Sequence, residues 1–118
     1  MKYTRLYHDD AQVSRFEEVE VSLQDQGTIG RISEPFPVSG LMFRETPADY
    51  DYDWHNAPRR QFIVLLDGEI EITAGSGERR RFSGGDVLLV EDTEGKGHLT
   101  RHILQQARRS LFLPLEAS

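Results

Sequence analysis

Three side chains with metal-binding or acid–base chemistry, His55, Gln61 and His98, lie beside turn and strand signals in the second half of this sequence. His55 and Gln61 belong to the segment Trp54–Gln61, which is followed by six residues and then Gly68. Imidazole nitrogens bind zinc, copper, iron and nickel, whereas an amide oxygen is a weak neutral ligand. If the fold brings the three side chains together, they form a site for a divalent transition metal.

The orientation of these side chains depends on strands, because successive residues of a strand point to opposite faces. On the strand that begins at His98, the side chains of Thr100 and His102 share its face. If that face and the faces of His55 and Gln61 line one interior, the three candidate ligands point into a common cavity. His102 lies roughly 13 Å along the strand from His98, so we do not expect both to bind one metal ion.

Turn-forming residues recur at short intervals and separate runs rich in β-branched and aromatic residues, a pattern typical of a sandwich or barrel. We predict about eight to eleven antiparallel strands, with little helix. The predicted strands in the second half are Phe62–Leu66, Glu69–Thr73, Glu78–Phe82, Val87–Val90, His98–Ile103 and Ser110–Leu113. The pair Asp67–Gly68 predicts one hairpin, and residues 84–86 predict a second. Residues 75–77 are also predicted as a hairpin turn. Residues 103–109 have a helix-like composition but are too few for a helix, so we predict a loop there.

The chain of 118 residues predicts a single domain over 1–118. Within it we expect a barrel core over residues 40–113 and an N-terminal extension over residues 1–39. The alternating apolar and acidic residues of the first 25 positions predict one or two strands that add to the barrel edge or cross to a partner subunit. Because exposed strand edges are usually paired or covered, we predict a homodimer.

Composition excludes several classes of protein. The sequence has no cysteine, so disulfides, thiolate metal sites and cysteine nucleophiles are excluded. The net charge of −6 argues against nucleic-acid binding, whose surface is normally basic. No run approaches the roughly 18 apolar residues of a membrane span, and Met1–Arg5 is not followed by an apolar stretch. We therefore expect a soluble cytoplasmic protein that does not bind membranes.

The order of these features resembles the two motifs of the cupin family. The first motif has a His-x-His pair, then a glutamate and, after six further residues, a glycine. In this sequence His55 and Gly68 match the first histidine and the glycine with their spacing intact. Ala57 stands at the second histidine and Gln61 at the glutamate. The chain therefore retains the spacing of the motif, but two of its three ligand positions hold other residues.

The second cupin motif has a glycine, a turn and a later histidine. Gly85 and His98 occupy the glycine and histidine positions, and His102 stands where the family usually has asparagine. Glu91 replaces the usual proline, and the loop over residues 92–97 is longer than usual. The resemblance covers residues 40–113.

The resemblance implies an all-β, cupin-type antiparallel β-barrel or double-stranded β-helix (jelly roll). It also implies a divalent metal (zinc, nickel, iron or manganese) held by His55, Gln61 and His98, with a small organic molecule as ligand or substrate. Isomerases, dioxygenases and lyases all occur in the family, so no particular reaction is predicted. The alternative is a non-catalytic small-molecule-binding protein without a metal, because two histidines and a glutamine carry no charge to balance a divalent cation.

Three further residues are candidates for contact with the organic molecule: Trp54, Arg59 and His102. Trp54 either stacks on the ligand or packs on the barrel rim. Arg59 either binds a substrate carboxylate in a bidentate contact or pairs with an aspartate of the acidic segment 49–53. His102 is either a second pocket residue or a hydrogen-bonded core histidine.

Overall fold

The computed structural model describes residues 1–116. They form twelve strands and one turn of 3-10 helix at Gly27–Ile29, and no helix in the described residues is long and apolar enough to cross a membrane. The strands are Lys2–His8 (β1), Ser14–Glu20 (β2), Gln24–Asp25 (β3), Arg31–Ile32 (β4), Met42–Thr46 (β5), Tyr52–His55 (β6), Gln61–Leu65 (β7), Glu69–Thr73 (β8), Arg79–Ser83 (β9), Val87–Val90 (β10), His98–His102 (β11) and Arg108–Pro114 (β12).

Two facing sheets make up the body of the fold. The larger has six strands in the order β2-β1-β10-β7-β12-β5, and the smaller has four in the order β6-β11-β8-β9. Strands β3 and β4 form a separate short hairpin. The all-β, jelly-roll fold with little helix is therefore confirmed, as two sheets rather than one continuous closed barrel. The expectation of purely antiparallel pairing is wrong at one place, because β1 and β10 are parallel.

The core lies between the sheets and is built by the alternation of side chains along each strand. On β8, Ile70 and Ile72 are buried while the glutamates between and before them point outward, as the alternating sequence predicts. The N-terminal strands belong to the same core, since β1 pairs with β10 and Leu6 is fully buried. The remaining buried apolar residues of this cluster are Phe16, Ala57, Leu65, Ala74, Phe82, Leu88 and Val90.

Two predicted hairpins are in fact crossings between sheets. Strand β7 pairs with β10 and β12 in the larger sheet, whereas β8 pairs with β9 and β11 in the smaller one. The turn at Asp67–Gly68 therefore carries the chain from one sheet to the other, and residues 84–86 carry it back. The turn at residues 75–77, which joins β8 to β9, is a hairpin as predicted.

Long-range contacts hold the Asp67–Gly68 crossing in place. The Asp67 carboxylate accepts hydrogen bonds from the backbone N–H and the Nε of Arg109, at 2.6 and 2.7 Å. Gly68 has a φ of +77°, and a Cβ built on it would lie 2.8 Å from the Cβ of Arg108. The two crossings also pack on each other, since a Cβ on Gly84 would lie 2.9 Å from the carbonyl oxygen of Leu66. These contacts involve distant parts of the chain, so a local turn pattern cannot predict them.

Candidate functional site

A cavity of about 360 Å³ lies between the two sheets. Both sheets contribute to its walls through the inward-facing residues of β5, β7, β10 and β12 on one side and of β6, β8 and β11 on the other. The aliphatic part of the wall consists of Ile63, Leu65, Ile70, Ile72, Leu88 and Val90. Polar side chains are concentrated at the two ends, which differ in chemistry.

Two histidines form one end of the cavity. His55 ends β6 and His98 begins β11, and the two residues are directly paired across these antiparallel strands. Because paired residues of neighbouring strands point to the same face, both imidazoles line the cavity, with ring centroids 4.4 Å apart. His98 is buried, with 6% of its surface exposed, and His55 is half-buried.

Each imidazole is oriented by an acceptor at Nδ1. The carbonyl oxygen of Asp53 lies 2.8 Å from Nδ1 of His55, and Oδ2 of Asp92 lies 2.5 Å from Nδ1 of His98. A carbonyl and a carboxylate accept hydrogen bonds, so Nδ1 of each ring carries a proton, and in the neutral form of the ring Nε2 is the nitrogen with a free lone pair. This arrangement is typical of histidines that bind metals, whose second nitrogen donates to a carbonyl or carboxylate.

Burial lowers the pKa of His55. The hydrogen bond to the carbonyl of Asp53 raises this pKa, and the neighbouring His98 and Arg44 lower it, so the net shift is downward. Protonation of this ring therefore requires a lower pH than that of an exposed histidine, whose pKa is about 6.5. At neutral pH, Nε2 of His55 is thus free to bind a metal or to accept a hydrogen bond.

Gln61 lies in the same cavity, at the start of β7. Its side chain is 3% exposed, and no described residue donates a hydrogen bond to its Oε1. A buried amide oxygen without a partner costs free energy unless a ligand or water completes it.

The structure therefore brings His55, Gln61 and His98 to one cavity. Among the described residues, no cluster of three or more histidine, cysteine, aspartate or glutamate side chains is arranged to hold a metal ion. Any metal in the cavity would thus depend on two imidazole nitrogens and the amide oxygen of Gln61. That neutral ligand set fits a weakly bound transition metal.

The opposite end of the cavity contains arginines. Arg108 lies on β12 with its side chain facing inward, and only 6% of its surface is exposed. Its Nη1 lies 3.2 Å from Nε2 of His102, and no acidic side chain of residues 1–116 lies within 4.0 Å of it. Burial lowers the pKa of Arg108, and the nearby charge of Arg44 lowers it further. Tyr50 places its ring 5.3 Å from the guanidinium carbon of Arg44 and 5.5 Å from that of Arg108.

The registers of the strands show how far apart the two ends are. His98 and His102 begin and end β11, a separation of roughly 13 Å along an extended strand. Likewise Gln61 is paired with Pro114 at one end of β12, and Arg108 lies at the other end of that strand. Aliphatic side chains occupy the wall between the histidine end and the arginine end.

The predicted ligand-contact residues are placed differently. Trp54 is half-buried and outside the cavity lining, with Nζ of Lys96 4.0 Å from its ring centroid. Arg59 is exposed and also outside the lining. His102 is half-buried and contacts the cavity residue Arg108. Of the three candidates, only His102 therefore lies next to the polar wall of the cavity.

Sequence reasoning missed several residues of the site, among them Arg108 and Asp92. Arg108 shares a face with Ser110 and Phe112, and this alternation was a usable signal, but the strand was predicted to begin two residues later. Asp92 follows β10 in what reads as an ordinary acidic loop. Its role depends on contacts with His98 and Ser14, so no local pattern marks it.

The chain passes repeatedly between two facing sheets, which together form a jelly roll around this cavity. This jelly roll is the fold that the resemblance to the cupin family implies. No family model matches the sequence, and no curated protein matches it significantly.

Two solved structures are similar to this chain in fold. One is the cupin domain of Cnp3 from Schizosaccharomyces pombe, at 17% identity and a TM-score of 0.49, with 98% of this chain and 88% of that chain covered. The other is a putative ethanolamine utilization protein Q (EutQ) from Salmonella typhimurium, at 13% identity and a TM-score of 0.40, with 100% and 98% covered. Likenesses this distant say nothing about activity, ligand or metal.

Proposed function

We propose that this protein binds a small organic molecule in the cavity between its sheets, next to a weak divalent-metal site at the histidine end. The observation that supports the metal site is the shared orientation of His55 and His98. Both rings have Nδ1 engaged by an acceptor, and both line the same cavity. Oε1 of Gln61, which has no hydrogen-bond partner within residues 1–116, adds an oxygen ligand in that cavity.

In this proposal each residue has a separate task. His55 and His98 supply ring nitrogens, Gln61 supplies an oxygen, and Asp92 fixes the ring of His98. A bound zinc, nickel, iron or manganese ion would polarise a carbonyl or carboxylate oxygen of the organic molecule. The aliphatic wall would exclude water from the body of that molecule.

A second candidate function is binding of the organic molecule without any metal. It is favoured by the chemistry of the three proposed ligands. His55, Gln61 and His98 are neutral, so none of them balances the charge of a divalent cation. In this case the amide of Gln61, which both donates and accepts hydrogen bonds, contacts the ligand directly.

Calorimetric titration of the untagged protein with zinc or nickel distinguishes these two functions. We expect measurable binding that weakens about tenfold or more in His98→Ala. Loss of a residue that only orients a metal ligand commonly lowers metal affinity about 10–100-fold, and this variant loses a ligand itself. His8→Ala is the matched control, because His8 is half-buried and lies outside the cavity. His55→Ala, at a less buried position, repeats the test if His98→Ala is unstable. Equal zinc binding by all variants, or none by the wild type, would leave only the second candidate.

We also propose that the protein is a homodimer and that a second copy pairs along β5. This strand ends the six-stranded sheet, and its exposed residues include Phe43, which is 80% exposed. The other end, β2, carries Glu17, Glu18 and Glu20, whose like charges would oppose pairing with a second β2.

Sedimentation velocity at micromolar concentrations tests this interface. We expect a dimer for the wild type and for the control Glu18→Gln, and a monomer for Phe43→Glu, which places a charge on the apolar edge. A wild-type monomer contradicts the proposal, and a Phe43→Glu dimer contradicts the choice of β5.

A further inference from the structure

We propose that Arg108 and Arg44 form a binding site for the carboxylate of the organic molecule, at the end of the cavity opposite the histidines. This inference rests on the proposed binding of a small organic molecule in the cavity. It adds the charge of that molecule, its chemical class and the residues that recognise it.

Arg108 differs from the other buried charged side chains of residues 1–116 because it has no counter-charge. Buried Glu91 accepts hydrogen bonds from Arg5 and Arg60, at 2.5 Å each. Buried Asp92 accepts one from His98. A guanidinium has five N–H donors and stays protonated in proteins. Among residues 1–116, the one side chain that hydrogen-bonds to Arg108 is His102, a neutral acceptor. Since burying an unpaired charge is costly, the missing partner of Arg108 is expected to be an anion.

Arg44 strengthens this argument because it adds a second positive charge at the same place. Arg44 is paired with Ser110, and Thr46 with Arg108, so the two arginines lie on neighbouring strands. Both guanidinium groups lie near the ring of Tyr50, whose π face offsets part of their charge. The ring does not neutralise either cation, so the two remain mutually repulsive until an anion binds between them.

Hydroxyl groups complete the surroundings of this site. Thr46 and Ser110 line the same cavity, and both are almost fully buried. The Oγ1 of Thr46 has no hydrogen-bond partner among the described residues. A carboxylate here would accept two parallel hydrogen bonds from a guanidinium, and a free hydroxyl is able to donate a third.

The rest of the cavity defines the chemical class of the ligand. Between the two ends, the wall consists mainly of aliphatic side chains, and the volume of about 360 Å³ limits the size of the molecule. The geometry therefore fits a small carboxylic acid with an apolar body, its carboxylate at Arg108 and its other end directed to His55 and His98.

Matched acids and amides test the charge of the ligand directly. We would titrate metal-free protein with benzoate and hexanoate, and with benzamide and hexanamide, which have nearly the same shape but no charge. The acids are expected to bind about tenfold or more tightly than the amides, because a hydrogen bond to a charged group is worth roughly ten- to a hundredfold. In Arg108→Gln we expect the affinity for acids to fall most of the way to that for amides, with a small remaining preference due to Arg44 and the affinity for amides unchanged.

The neighbouring arginine provides the control. Arg109 is exposed and bound to Asp67 on the other face of β12, so Arg109→Gln should leave all four affinities unchanged. Arg44→Gln should weaken the acids less than Arg108→Gln, since Arg44 is exposed at the cavity mouth. If Arg108→Gln does not fold, the comparison of acids with amides in the wild type and in Arg44→Gln still decides the question.

Three results would overturn the inference, and they are distinguishable. Equal binding of acids and amides by the wild type would refute the carboxylate site and leave the proposed small-molecule binding intact. If none of the four compounds binds, the proposed small-molecule binding fails together with this inference. Acid binding that is undiminished in Arg108→Gln would show that the anion lies elsewhere.

Discussion

Replacement of Asp92 by alanine is expected to lower the free energy of unfolding by about 4 kcal/mol. Asp92 is fully buried, and its Oδ2 accepts hydrogen bonds from His98 Nδ1 at 2.5 Å and from Ser14 Oγ at 3.0 Å. Alanine removes the acceptor of both hydrogen bonds and leaves a buried N–H and a buried hydroxyl without partners. The backbone carbonyl of Asp92, which accepts a hydrogen bond from the N–H of Ala57, is retained. Urea unfolding monitored by circular dichroism measures the loss.

Two variants separate the causes of that loss. Ser14→Ala removes one hydrogen bond and should cost about 1 kcal/mol. Asp92→Asn keeps an acceptor for His98 but removes the charge, so its cost should lie between those of the other two variants. A loss below about 1 kcal/mol for Asp92→Ala would contradict the geometry, since one unsatisfied buried polar group alone costs that much. If His98 binds a metal, Asp92→Ala should also weaken zinc binding about 10–100-fold.

Replacement of Gln61 by glutamate is expected to tighten zinc or nickel binding about tenfold, which corresponds to about 1.4 kcal/mol. Gln61 is 3% exposed and its Oε1 has no partner among the described residues. The two side chains are nearly isosteric, but a carboxylate is a charged and stronger oxygen ligand. Calorimetric titration of wild type and Gln61→Glu, beside a melting curve of each, measures both affinity and stability.

Without metal, Gln61→Glu is expected to be less stable than the wild type at neutral pH, because burial disfavours the charged carboxylate. Burial raises the pKa of the new carboxyl above that of an exposed glutamate, about 4.3. The folded state then binds the proton more tightly than the unfolded state, so stability is highest at acidic pH and falls as pH rises above about 4.3. Added zinc should restore the melting temperature at neutral pH.

Gln61→Met is the matched control, because it keeps the size of the side chain and removes its polar atoms. We expect weaker zinc binding with little loss of stability. If Gln61→Glu shows unchanged zinc affinity and a lower melting temperature, the metal site is refuted. The amide of Gln61 would then be a contact for the organic molecule itself.

Much of the local structure was predictable from the sequence. The alternation of β8 and the apolar run of β7 predicted strands close to those observed, and the side chains of Ile70 and Ile72 are buried as expected. These strand predictions depend only on whether residues are an even or odd number of positions apart on one strand. His55, Gln61 and His98 lie on three different strands, so alternation left their meeting as a condition, and the structure shows that all three line one cavity.

The partners of the strands were not predictable in this way. Asp67–Gly68 encodes a reversal of the chain, but β7 and β8 lie in different sheets because each pairs with a distant strand. Such pairing depends on which distant apolar faces are buried together, and this information is not present in a four-residue turn.

By itself, then, the sequence determined that the chain is a β protein of short strands and which side chains share a face of one strand. Only the tertiary structure decided what each of these groups contacts. The carboxylate of Asp92 meets His98 because β2, β10 and β11 converge there, which orients that imidazole and ties Ser14 to it. Arg108 is buried because β12 pairs with β5 and β7 in the sheet, and no acidic side chain of residues 1–116 pairs with it. Electrostatic environments depend on distances in space, and residues far apart in sequence set those distances.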